Sequence, residues 1–133
     1  FKIKSFSYKK GIPKDDSNNG GGFVFDCRGI LNPGRFNAYK TISGKDKAVI
    51  DFLDQQTKMN AFLNSAFDMV DISVEDYLQR GFENLAINFG CTGGQHRSVY
   101  AAEQMVRHLR NKYKVKTEVE HTNQSNWVRE IKV

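Results

Sequence analysis

The residues between Gly90 and Ser98 are of types that together could hold an anion. The segment reads GCTGGQHRS, with three glycines, two hydroxyl side chains and one arginine. Glycine lets the backbone adopt positive φ and expose its N–H groups, and the planar guanidinium of Arg97 can donate to two phosphate oxygens. A turn that only connects two elements would not need this combination. We therefore predict a phosphate-binding loop with the candidate ligand-binding residues Cys91, Thr92, Gly93, Gly94, Gln95, His96, Arg97 and Ser98.

The spacing of Cys91 and Arg97 permits a second chemistry, that of cysteine-dependent phosphatases. Five residues separate the two; in such enzymes a cysteine thiolate attacks phosphorus while the arginine holds the oxygens. A thiolate at a helix N-terminus has a lowered pKa and is nucleophilic. However, Gly90 stands where that class has a histidine, and no motif identifies the general acid. We predict a binding domain that is not an enzyme, with catalysis by Cys91 as the alternative.

The elements around this segment place it at the carboxyl end of a buried strand. Residues 85–89 predict a strand, and residues 98–112 carry an apolar face with helical period. Open α/β sheets bind ligands at such strand ends, and a helix N-terminus adds free N–H groups and a positive dipole end. Residues 115–121 alternate and predict a last strand, joined to 85–89 by a right-handed crossover.

Two strands and a helical region precede the loop. Residues 1–8 and 23–28 predict strands, and the polar, glycine-rich run 15–22 between them predicts a mobile loop. From Asp46 onward apolar residues recur three and four positions apart, which predicts helices.

Local signals divide this helical region. They predict a junction near Thr57, a helix start at Ser73 and a helix end at Gly81. The whole pattern predicts an α/β fold, a single-domain sandwich with a small mixed sheet and a strand–glycine-rich loop–helix anion site.

Composition limits the class of protein. The chain has 133 residues, 39% of them hydrophobic, which suits one domain with a packed core. No apolar run approaches the ~18 residues of a spanning helix, so we expect no membrane partner. Two cysteines, Cys27 and Cys91, fit a reducing compartment. The chain begins with Phe1 and shows no signal peptide, so we expect a cytoplasmic domain cut from a longer protein.

Several blocks of the sequence resemble the C-terminal domain of the RapZ family. The strongest is Gly90–Val99, and the resemblance extends to about Arg110. The other blocks, in the family's order, are Ser5–Phe6 with Lys9–Pro13, Val24–Arg28 with Leu31–Pro33, and Ser43–Asp46. The resemblance implies that residues 1–133 form one such domain, similar to a phosphofructokinase subdomain.

The resemblance also implies a function. In that family the C-terminal domain is the sensory and RNA-binding part, and it follows a Walker-type nucleotide-binding domain whose motif is absent here. It implies a regulatory domain that binds a phosphosugar such as glucosamine-6-phosphate at the loop, bordered by Asp26, Arg28 and Asn32. RNA, and a protein partner through a missing domain, are further partners it suggests. An RNA-binding adaptor domain is the alternative function.

Two departures from the family and several single residues bear on these predictions. Gly34 stands where the family commonly has a histidine, and residues 122–133 lack a strongly basic run.

Asp26 and Arg28 share one strand face, where either a structural ion pair or ligand contact would suit them. The net charge of +5 favours anionic partners. The histidines and cysteines match no zinc spacing, so we predict no metal and no cofactor. The candidate RNA-binding residues are Lys112, Lys114 and Lys116.

Overall fold

A four-stranded sheet forms the centre of the domain. A computed structural model describes residues 1–130. The strands are β1 Lys2–Ser7, β2 Gly22–Asp26, β3 Ala86–Cys91 and β4 Glu118–His121. Their order is β2-β3-β1-β4, and every pairing is parallel. The prediction of a mixed sheet is wrong because each connection between consecutive strands is long enough to return the chain to the same end of the sheet.

Three helices follow the predicted α/β pattern, with one difference. They are α1 Lys47–Gln56, α2 Met59–Arg80 and α3 Arg97–Tyr113. The break at Thr57 and the end at Gly81, where φ is +79°, are confirmed. The helix start at Ser73 is wrong: α2 runs through it because Val70 and Val74, one turn apart, are both fully buried and no glycine or proline intervenes. Within residues 1–130 no helix is long and apolar enough to cross a membrane.

The hydrophobic core lies between the helices and one face of the sheet. Alternate strand residues such as Ile3, Ile87 and Phe89 are fully buried there and pack with side chains from all three helices. The other face carries Lys4, Val24 and Asn88, which line a cleft with residues 12–16 and 20–22. The glycine-rich run 15–22 enters β2 at its amino end, so it lies away from the carboxyl edge where the predicted anion loop begins.

A buried carboxylate joins α2 to α3. Asp71, only 6% exposed, accepts hydrogen bonds from His108 Nε2 and Lys112 Nζ, each at 2.7 Å. The His108 ring stacks on Phe67 with its centroid 4.2 Å away. Burial acts to raise the pKa of Asp71, but the hydrogen bonds from Lys112 and His108 outweigh it and hold that pKa below its ordinary value. The cluster therefore stabilises the packing of the two helices in its ionised form.

We expect Asp71→Asn to lower the free energy of unfolding at pH 7 by about 1–3 kcal/mol, the scale of hydrogen bonds to a charged group. Because the pKa of Asp71 is lower in the folded state, its contribution is present at neutral pH and is lost as the pH falls through the folded-state pKa. The stability of the variant should therefore fall less steeply in acid. Urea denaturation at several pH values measures both effects.

Asp76→Asn is the matched control. It removes an exposed i,i+4 pair with Arg80 on the same helix, with about half of each side chain exposed. Such pairs contribute little, so the control should keep the stability of the parent chain. Equal losses in the two variants would contradict a special role for the buried carboxylate.

Candidate functional site

The carboxyl ends of three parallel strands meet at one edge of the sheet. Ser7, Asp26 and Cys91 are the last residues of β1, β2 and β3. Residues 92–96, here named the glycine loop, lead from β3 into α3, which begins at Arg97. Strand, loop and helix thus follow one another as predicted, and the loop lies beside the ends of β1 and β2.

The glycines around the loop have different roles. Gly94 has φ of +63°, and a Cβ there would lie 2.8 Å from the backbone N of Ser7. A Cβ on Gly90 would lie 2.4 Å from Cζ of Phe6. Gly93 has neither a positive φ nor any atom within 4 Å of such a Cβ. The expectation of positive φ therefore holds for Gly94 alone, while Gly90 is required by close packing and Gly93 borders open space.

Each carbonyl oxygen of residues 92–95 accepts a hydrogen bond from another part of the chain. The donors are Ser7 Oγ to Thr92 (2.6 Å), Asn123 Nδ2 to Gly93 (2.8 Å), Trp127 Nε1 to Gly94 (2.7 Å) and the Gly44 N–H to Gln95 (2.9 Å). In a planar trans peptide the N–H points opposite to the C=O. The N–H groups of residues 93–96 therefore face away from these donors.

These four N–H groups form a candidate anion site. Within residues 1–130 none of them donates a hydrogen bond to a protein acceptor. Successive free N–H groups around a residue in the left-handed conformation form a concave nest that binds anions. The sequence predicted this loop as the site, and that stays a prediction. It did not connect Ser7, Gly44, Asn123 and Trp127 with the loop, because no local pattern marks a residue that bonds to a distant carbonyl.

Arg97 is anchored at one end of its guanidinium and only partly paired along its Nε–Nη2 edge. The side chain is 4% exposed, and Nη1 donates to the carbonyl oxygens of Arg28 (2.9 Å) and Ile30 (2.8 Å). Nη2 lies 3.4 Å from Oγ1 of Thr92, and the buried Nε has no hydrogen-bond partner among the described residues. The Nε–Nη2 edge, which lies beside Thr92, therefore keeps donor capacity for two anion oxygens.

Gln95 and His96 use their side chains to hold neighbouring segments. Gln95 Nε2 donates to the carbonyl oxygens of Ile42 (2.9 Å) and Val128 (3.0 Å). His96 Nε2 bonds to the carbonyl oxygen of Tyr39 at 2.8 Å, and burial lowers the pKa of His96. Both side chains are buried. Ligand contact through these two side chains stays a prediction, whereas their structural contacts are evident.

Cys91 lies in the hydrophobic core beneath the loop. It is 2% exposed, its Sγ lies 3.1 Å from Ser98 Oγ, and the Ser98 N–H donates to that sulfur at 3.5 Å. Ser98 is itself fully buried. A buried thiol offers no open path for a phosphate ester. Among residues 1–130 no group of three or more histidine, cysteine, aspartate or glutamate side chains could hold a metal ion.

The other predicted ligand contacts border the same edge. Asp26 and Arg28 form a two-bond ion pair (3.0 and 2.8 Å), which lowers the pKa of Asp26, and the guanidinium lies 3.8 Å from the centroid of the Tyr8 ring. The pair is half-exposed. Asn32 accepts the N–H of Gly34. A Cβ on Gly34 would lie 3.3 Å from Cε1 of His96, so this departure from the family pattern adjoins the loop.

The predicted RNA-binding lysines lie at the far end of α3. The helix has 17 residues, so it separates them from the glycine loop by about 25 Å at 1.5 Å per residue. Lys112 pairs with Asp71, while Lys114 and Lys116 are exposed. RNA binding by these residues stays a prediction.

Comparisons with known proteins agree on one family. The family model described as the RapZ C-terminal domain matches residues 1–125. A nucleotide-binding protein of Endomicrobium trichonymphae is 37% identical over 115 residues, covering 86% of this chain and 38% of the relative. One of Lactobacillus acidophilus is 35% identical over 127 residues, covering 96% and 41%. One of Clostridium botulinum is 39% identical over 119 residues, covering 90% and 38%. The chain thus spans about two fifths of the length of these relatives.

Alanine substitutions at the adjacent Gly93 and Gly94 should have different effects on the stability of the fold. We expect Gly94→Ala to destabilise the fold by about 1–2 kcal/mol or more, because it combines a left-handed backbone with a clash against Ser7. Gly93→Ala should keep nearly the full stability, because its new methyl group meets open space. Thermal unfolding of the two variants measures the difference. A Gly94→Ala chain as stable as its parent would contradict the left-handed backbone and the close approach to Ser7 at this position.

Proposed function

The chain belongs to the RapZ C-terminal domain family, and we propose that it is a regulatory domain that binds the phosphate group of a phosphorylated small molecule at the glycine loop. The observation that carries the proposal is a group of hydrogen-bond donors in the glycine loop and at the start of α3. Four backbone N–H groups of residues 93–96 and the Nε of Arg97 lack protein acceptors within residues 1–130, and the neighbouring Nη2 has only a long hydrogen bond, 3.4 Å, to Thr92 Oγ1. A phosphate offers the several oxygens that such a set requires.

The charge around the loop supports an anionic ligand. Arg97 is a buried cation with no carboxylate within 4.0 Å among the described residues. Burying an unpaired charge is unfavourable, and an anion bound beside it would compensate that charge. Exposed cations also follow β1 and β2 at the same edge, namely Lys9, Lys10, Arg28 and Arg35. They would raise the local concentration of anions and speed their association.

The geometry of the glycine loop does not distinguish a phosphosugar from a nucleotide, so the choice between these two ligand classes depends on the family resemblance. Phosphosugars and nucleotides both carry the phosphate that the loop fits. The relatives are named nucleotide-binding proteins, but those names belong to chains more than twice as long. The resemblance of the loop and of the blocks that border it favours a phosphosugar such as glucosamine-6-phosphate.

Binding without catalysis suits the position of Cys91. A phosphatase of the cysteine class needs its thiolate at the mouth of the loop, in line with the leaving group. Here the thiol lies in the core against Ser98. The anchored guanidinium and the free N–H groups remain available for recognition, which is sufficient for a sensor.

Amide chemical shifts during titration test the proposal. Inorganic phosphate, glucosamine-6-phosphate and a nucleoside monophosphate should shift residues 93–96 most, and glucosamine should not shift them. Relative affinities distinguish a phosphosugar from a nucleotide. Thr92→Val and Arg97→Lys should each weaken binding, Arg97→Lys by about tenfold or more, because lysine lacks the two-donor edge and ~1.4 kcal/mol corresponds to tenfold.

The controls for this titration address folding. Arg97→Lys also removes bonds to the carbonyl oxygens of Arg28 and Ile30, so its melting temperature and amide spectrum must show a folded chain. Thr92 is exposed, and Thr92→Val should fold like its parent. Largest shifts outside the loop, or equal binding of the unphosphorylated sugar, would refute the proposal.

A separate experiment tests the phosphatase alternative. We expect hydrolysis of an aryl phosphate to be no faster than the buffer background, because Cys91 is buried. Mass spectrometry after incubation should reveal no phosphocysteine. Turnover that disappears in Cys91→Ser would instead establish the enzyme.

A further inference from the structure

We infer that residues 122–128 act as a strap that positions the glycine loop for its anion, with Asn123 and Trp127 as the positioning residues. Strap docking and anion binding are then coupled. This inference rests on the proposed function, because it assigns the strap to the same phosphate site. Neither residue belongs to the loop or to an element that the sequence pattern connects with it.

The strap contacts three consecutive loop residues. Asn123 Nδ2 donates to the Gly93 carbonyl at 2.8 Å, and Trp127 Nε1 donates to the Gly94 carbonyl at 2.7 Å. The backbone of Val128 then exchanges two hydrogen bonds with the side chain of Gln95, at 2.8 and 3.0 Å. Asn123 is 8% exposed. Four hydrogen bonds therefore join the strap to the loop.

Two of these bonds determine where loop N–H groups point. The Gly93 carbonyl shares its peptide plane with the Gly94 N–H, and the Gly94 carbonyl shares its plane with the Gln95 N–H. Glycine restricts neighbouring peptide planes less than any other residue. The donors from Asn123 and Trp127 therefore supply the restraint that the loop sequence lacks. Without them, two of the four free N–H groups would sample other directions.

Hydrogen bonds at the start of the strap and within it fix the path of its backbone from the sheet to Trp127. Its start is held at the sheet, where the N–H and the hydroxyl of Thr122 both donate to the carbonyl of Ser5 at 3.0 Å. A 3-10 turn at Gln124–Asn126 and a bond from Asn126 Nδ2 to Asn123 Oδ1 at 2.8 Å shorten the path to Trp127. The two donors thereby reach adjacent carbonyl groups of the loop.

Coupling follows from hydrogen-bond polarisation. An anion that accepts from a peptide N–H makes the carbonyl of that peptide a better acceptor, and the converse also holds. The strap should therefore raise the affinity for phosphate, and phosphate should strengthen strap docking by the same factor. A ligand that touches only the loop would thus alter the C-terminal segment, which could report occupancy to a partner.

The chain offers a direct probe, since Trp127 is its only tryptophan. Its indole N–H yields a single NMR resonance in the intact protein. We expect inorganic phosphate and glucosamine-6-phosphate to shift this resonance with the same dissociation constant as the loop amides. Hydrogen exchange at the indole N–H and at the Val128 N–H should become slower with ligand bound. A strap with only a structural role would show neither response.

Variants supply the reciprocal measurement. Trp127→Phe keeps an aromatic ring but removes the donor, and Asn123→Ala removes the other donor. Each should weaken phosphate binding by about three- to tenfold, the factor that corresponds to one net hydrogen bond. Ser125→Ala is the matched control: its side chain is exposed and makes no hydrogen bond among the described residues. It should bind phosphate as the parent chain does.

The outcomes separate this inference from the proposed function. If no phosphate compound shifts the loop amides of the parent chain, the proposed function fails, and the inference with it. If phosphate binds the loop but the indole resonance and its exchange do not respond, the inference is overturned and the proposed function stands. A lower melting temperature in Trp127→Phe with unchanged phosphate affinity would overturn it as well. The titration of the parent chain decides the question even if a variant fails to fold.

Discussion

Peptide carbonyls need hydrogen-bond donors, and the glycine loop receives four donors from three separate parts of the chain. The end of β1, the segment before α1 and the strap each supply at least one donor to residues 92–95. Because each donor acts on a carbonyl, the N–H group of each of these four peptides faces away from its donor, and it has no acceptor within residues 1–130. The rest of the domain can be understood as the scaffold that brings these donors to one edge of a parallel sheet.

Hydrogen bonding to distant backbone groups also determines the environment of the Arg97 guanidinium. Backbone carbonyl oxygens of Arg28 and Ile30 solvate one end of its guanidinium in place of water, yet they carry no full negative charge. No carboxylate lies within 4.0 Å of this buried cation among the described residues, and its Nε has no acceptor there. The proposed site would favour an anion over a neutral ligand, because the electrostatic gain is larger where water is excluded.

The two ends of α3 serve different purposes. Its N-terminus adjoins the glycine loop, whereas its C-terminal half is fastened to α2 through Asp71, which pairs with His108 and Lys112. That carboxylate network, together with the apolar core between helices and sheet, holds α3 at a constant position relative to β3. A rigid helix start matters for recognition, because small displacements of oriented donors weaken their bonds to an anion.

Local patterns in the sequence determined the α/β class, the strand–glycine loop–helix unit, the helix break at Thr57 and the helix end at Gly81, since each depends on residues adjacent in the chain. Family resemblance could be recognised for the same reason. The tertiary structure alone decided that the sheet is parallel, that α2 continues through Ser73, that Gln95 and His96 hold neighbouring segments, and that Trp127 bonds to Gly94. Those features depend on burial and on hydrogen bonds between residues far apart in the chain, and no local spacing encodes which distant carbonyl a side chain will meet.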